Sequence, residues 1–171
     1  ADQRPTLRVW AGRDDVEPLQ EDAFAYLAWA KDPAGLKTII DHGLTATEHK
    51  VRARAAQALC EYGSPMADGA KPALLKAMKE ADSTDKPHVA WALAVLKESS
   101  AFDDVLSEYR LGHLASIQRL DGYPAFDPDT LAAMVSLDKL ATYATDPSDA
   151  MRQLIATILS RTGDAKWTAT L

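Results

Sequence analysis

Cysteine occurs once in this chain, as Cys60. One thiol excludes an internal disulfide and a thiolate cage for zinc. A lone thiol is compatible with a reducing compartment and leaves the location open, with the cytoplasm favoured. Basic residues are also short: 19 Lys plus Arg stand against 25 Asp plus Glu, a formal net charge of −6. A protein that tracks a phosphate backbone needs a basic stripe, so nucleic acid is not an expected partner. The densest basic cluster, Lys50, Arg52 and Arg54, is confined to one stretch. No apolar run approaches the ~20 residues of a membrane span. The N-terminus lacks a signal-peptide pattern, and a leader already removed would leave no trace. Glycine-rich phosphate loops, nucleophile elbows and histidine-bearing zinc helices are missing too.

What the chain does have is a recurring helix. Val51 to Gly63 carries Val51, Ala55, Ala58, Leu59 and Tyr62 at helical spacing, with Arg52, Arg54, Gln57 and Glu61 on the other side. Cys60 lies beside the apolar stripe, as a small core residue. Gly63 ends the helix. Adding 34 places Ala55, Ala56, Ala58, Leu59 and Tyr62 on Val89, Ala90, Ala92, Leu93 and Leu96. Adding 100 places Val51, Arg52, Ala55, Leu59 and Gly63 on Met151, Arg152, Ile155, Leu159 and Gly163. Subtracting 32 gives Leu19, Ala23, Tyr26 and Leu27. A period of about 32–34 residues marks a stacked helical array.

The chain reads as one domain, 1–171. Regular units fill 14–100, a degenerate unit with a long loop fills 101–130, a final unit spans 131–163, and 164–171 is a tail. Thr6 to Trp10 suits a short helix or an extended arm. Asp14, Asp15 and Pro18 open the first long helix. Thr45 or Thr47 can cap the reference helix, with Glu48 as the capping-box partner of Thr45. Residues 101–121 suit one broken helix or two short ones around Gly112. A helix from Asp127 carries Leu131, Met134, Val135, Leu137, Leu140 and Tyr143. The pattern is cut at both ends, as expected of a piece of a longer array.

Asp146-Pro147-Ser148-Asp149-x-Met151-Arg152-x-x-Ile155-Ala156-x-x-Leu159 resembles the second half of a HEAT repeat. Val51-Arg52-x-x-Ala55-Ala56-x-Ala58-Leu59 with Gly63 resembles the short bacterial form, called PBS-lyase-like HEAT. The resemblance covers about residues 14–163 and is weakest between 100 and 130. It implies an all-α, right-handed α-solenoid of about four to five helical hairpins, whose second helices line a concave face. HEAT arrays are mostly scaffolds and protein-binding surfaces; a minority are enzymes. The family's di-iron hydroxylase carries His-Glu pairs at the start of second helices. Here those positions read Ala53-Arg54, Pro87-His88 and Gln153-Leu154, which argues against it.

The expected function is therefore a protein–protein interaction or scaffold module, with a protein partner and no cofactor. A bilin-lyase-type enzyme on the same fold is one alternative, and a structural segment of a longer array is another. The four histidines, His42, His49, His88 and His113, share no metal-ligand spacing, so no metal site and no catalytic residue is assigned. Glu48-His49 is the family's pair reversed. Asp103-Asp104 suits a helix start, where acids complement the dipole. On the concave strip the period collects Arg54, Gln57 and Glu61, then Asp22, Ala25 and Trp29, then His88, Trp91 and Val95, then Leu154, Thr157 and Arg161. Tryptophan and arginine are enriched in binding hot spots. Trp29, Arg54, Gln57, Glu61, His88 and Trp91 are the candidate partner-binding residues. Each tryptophan has a core alternative: Trp29 under the Pro33 turn, Trp91 among its alanine neighbours. Tyr123 and Phe126, on the long loop, are a second candidate.

Overall fold

The structure is a computed structural model and describes residues 2–15, 17–117 and 128–163. Every regular element among them is helical. The helices are α1 (Arg4–Ala11), α2 (Glu17–Trp29), α3 (Pro33–Thr38), α4 (His49–Tyr62), α5 (Lys71–Glu80) and α6 (Lys86–Val95), followed by α7 (Phe102–Arg110), α8 (His113–Ile117), α9 (Pro128–Ala132), α10 (Leu137–Ala141) and α11 (Asp149–Arg161). A π turn, Ile39–Gly43, prolongs α3, and 3-10 turns lead into α5 and α7. No helix among the described residues is long and apolar enough to cross a membrane.

Local chemistry sets most boundaries. Pro33 starts α3 with its φ already helical, and Asp32 caps the helix by accepting from the Gly35 amide at 2.6 Å. Gly63 closes α4 at φ 66°, and Gly112 separates α7 from α8 at φ 77°. Thr6 to Trp10 falls within α1.

Two local expectations need correction. Thr45 does not cap α4: its hydroxyl donates to the Asp41 carbonyl at 2.7 Å, and extended Glu48 precedes the first turn without a side-chain cap. The helix expected from Asp127 is two short ones. Extended Ser136 breaks it and caps α10 by accepting from the Lys139 amide at 3.3 Å.

α2 packs on α4 and α4 on α6, while α6 also meets α5, α7, α8 and α9. Leu27, Leu59 and Leu93 are 0% exposed and Leu159 is 1% exposed, so the four leucines that share a register all lie inside. One apolar core runs from Ala11 to Leu159 and includes Cys60. The stripe on α2 is rotated from the expected one. Phe24, Ala23, Leu27 and Ala28 fill the interior, whereas Leu19 and Tyr26 face solvent. Phe24 reaches the π turn so closely that a Cβ on Gly43 would lie 2.8 Å from its Cζ and 2.6 Å from the Ala55 Cβ.

Three buried aspartates tie successive elements together. Arg8 of α1 holds Asp32 through two bonds, 2.9 and 2.6 Å. Arg52 of α4 holds fully buried Asp85, at the head of α6, at 2.5 Å. Arg110 of α7 holds Asp146, ahead of α11. A buried carboxylate is tolerable only with such charge-assisted partners.

Arg52 also donates to the carbonyls of Ala46 and Thr47 at 2.7 and 2.9 Å. Arg152 does the same to Asp146 and Pro147 at 2.6 and 3.0 Å. The two networks coincide at the offset of 100 residues read from the sequence. Arg52 thus reaches inward, not to the polar outer side where the helical spacing placed it; its side chain is 11% exposed.

Candidate functional site

Where α2 lies on α4, their outer sides leave a groove of about 450 Å³. One wall is Asp22, Ala25 and Trp29, which share a face of α2 at one-turn spacing. The other is Arg54, Gln57, Ala58 and Glu61, which share a face of α4 in the same way. Glu21 closes one edge. Trp29 is 80% exposed, the most open large apolar side chain among the described residues. With Ala25 and Tyr26 it forms an apolar patch that continues from the groove along α2. Arg54 is held across the groove by Glu21, Nε to Oε2 at 3.3 Å, and along its own helix by Gln57, Nη1 to Oε1 at 2.8 Å. Lys31 donates to the main-chain carbonyl of Glu61, tying the end of α2 to the end of α4.

The expected strip is brought together in part. Trp29, Arg54, Gln57 and Glu61 line one groove. His88, at the head of α6, is half-buried beside it. Burial, and then the Arg54 charge, push its imidazole pKa down to about 4. Trp91 needs correction: it is 2% exposed and belongs to the core. α6 is enclosed by five other helices, so the position that is open on α4 is covered on α6. The missed signal was the run Val89 to Leu96, which has no polar face; a helix apolar all round is a buried one. Tyr123 and Phe126 lie outside the described residues. Tyr26 and Glu21 were not among the candidates. Phe24 could have pointed to Tyr26, because two large rings two positions apart on a helix cannot both face the core.

One cluster has the composition of a metal site. Nδ1 of His49 lies 3.2 Å from an Asp82 oxygen and 3.3 Å from an Asp85 oxygen. The place a cation would take is already filled by a guanidinium. Arg52 Nε sits 2.5 Å from Asp85, and its Nη2 sits 2.5 Å from His49 Nδ1. Asp85 further accepts from the Asp82 amide at 2.9 Å. The cluster clamps α4 to the start of α6. Cys60 offers no nucleophile either, since burial raises its thiol pKa far above the ordinary range.

No protein-family model matches this chain, and no curated protein matches it. The reading of the site therefore rests on its geometry. Its described lining contains no thiol, hydroxyl or imidazole; it offers an aromatic face, three carboxylates and one guanidinium.

Proposed function

We propose that the chain is a short HEAT-like α-solenoid that binds a segment of a partner protein in the α2/α4 groove. The observation that carries this reading is an indole 80% open to solvent, at the mouth of a groove lined by fixed charges. A bare tryptophan beside ordered polar groups is the composition of an interaction hot spot. Two further features support the repeat architecture. Equivalent leucines are buried in α2, α4, α6 and α11. Arg52 and Arg152 grip equivalent carbonyls in front of their helices.

The test compares the wild type with Trp29→Ala and Glu61→Arg. A partner captured by the wild type is purified, and its affinity is measured against all three proteins by calorimetry. Binding weakened by about tenfold or more in both variants, with thermal midpoints unchanged, is the expected result. A partner that binds the three equally well places recognition elsewhere and removes the proposal.

A further inference from the structure

We infer that the occupant of this groove is a positively charged segment that carries both lysine or arginine and apolar side chains. The inference rests on the groove being the binding face and adds the chemical class of what it binds. Glu21, Asp22 and Glu61 bring three negative charges to the groove against the one positive charge of Arg54. That positive charge is already engaged by Glu21 and Gln57. Among the described residues no cation engages the carboxylate of Asp22 or Glu61, and Lys31 reaches only the Glu61 main chain. Two carboxylates are thus left facing the groove without a counter-charge.

Trp29 stands about two turns along the same helical face from Asp22 and offers its ring to solvent. The face of an indole attracts ammonium and guanidinium groups. Ala25, Tyr26 and Trp29 supply apolar surface for the aliphatic stems that carry such groups. A nucleic acid or an anionic membrane would meet two unpaired carboxylates, on a chain whose net charge is −6. A cationic peptide meets complementary charge at long range and at contact.

The test uses the full chain and three dye-labelled synthetic peptides of equal length: Lys/Leu, Glu/Leu and Gln/Leu, each patterned to form one apolar helical face. Anisotropy titrations give the affinities. The Lys/Leu peptide should bind tightest, and its binding should weaken as ionic strength rises. The Asp22→Asn/Glu61→Gln double variant and Trp29→Ala should each weaken it by about tenfold. Neutralising acids outside the groove, in Glu48→Gln/Glu80→Gln, should change it by less than about twofold.

The opposing outcomes are distinct. Equal weakening by the two double variants means diffuse attraction to an acidic protein and overturns the inference. Three peptides that bind alike, and all lose binding in Trp29→Ala, would keep the groove and overturn its charge preference. Indifference of every peptide to Trp29→Ala would remove the groove reading itself. A wild-type dimer in sedimentation that Trp29→Ala dissociates would assign the groove to a second copy of the chain, which also overturns the inference.

Discussion

Gly43 shows how little room a single position can have. A methyl there meets the Ala55 Cβ at 2.6 Å and the Phe24 ring at 2.8 Å, both held by helices packed from two sides. Gly43→Ala should therefore cost about 1–3 kcal/mol in a urea titration. Gly69, with nothing within 4 Å of its added Cβ, is the control, and Gly69→Ala should leave stability nearly unchanged. Similar losses at the two sites would mean that crowding is not the cause. His88 makes a different residue-scale prediction. Its folded pKa is about 4 against an ordinary 6.5, because burial and then Arg54 oppose its charge. As pH falls below 6.5 the unfolded chain takes up this proton first, so stability drops until about pH 4. His88→Gln should show a shallower loss across that window; a curve parallel to the wild type would refute the assignment. Asp32 acts at lower pH. The Arg8 hydrogen bond holds its carboxyl below the ordinary 3.8. Its contribution is complete above that value and fades as pH falls through the folded one.

Two tryptophans separate the helices that carry them. Trp91 on α6 is buried, so Trp91→Ala should cost about 3–5 kcal/mol. Trp29 on α2 is 80% exposed, so Trp29→Ala should stay within about 0.5 kcal/mol. Thermal melts of the two variants decide the matter, and a reversed order would contradict the packing of both helices. The period had put these residues in one strip, and the reason for the error is physical. An offset in sequence carries a position from one helix to the next on the assumption that both have the same surroundings. That holds between α2 and α4: Asp22, Ala25 and Trp29 lie across a groove from Arg54, Gln57 and Glu61. It fails at α6, which α7, α8 and α9 cover in addition to α4 and α5. Helix positions were legible because proline, glycine and apolar spacing are local signals. The burial of Asp32, Asp85 and Asp146 was not, since each depends on an arginine 24 to 36 residues away in the chain.

At the scale of the molecule, stability should be graded along the chain. α4 sits between α2 and α6, and α6 between α4 and the α7–α9 group, whereas α1, at the start of the chain, packs mainly on α2, α3 and the π turn. Native-state hydrogen exchange should therefore be slowest in α4 and α6 and faster in α1. Uniform protection across the three would mean that the chain opens only as a whole. The enclosure of α6 also bears on how such a chain can be rebuilt. A repeat protein is usually treated as a string of interchangeable beads, to be shortened or extended at any junction. Seven of the residues from Pro87 to Ala94 are buried, and the cover comes from both sides of the chain. A cut after Val95 would leave α6 with half its shelter, and a duplicated unit inserted there would pull the two sets of neighbours apart. On the repeat architecture proposed above, engineering by whole units belongs at the α2/α4 junction, where each helix keeps an open outer side; at α6 the chain behaves as a keystone joint, not a bead.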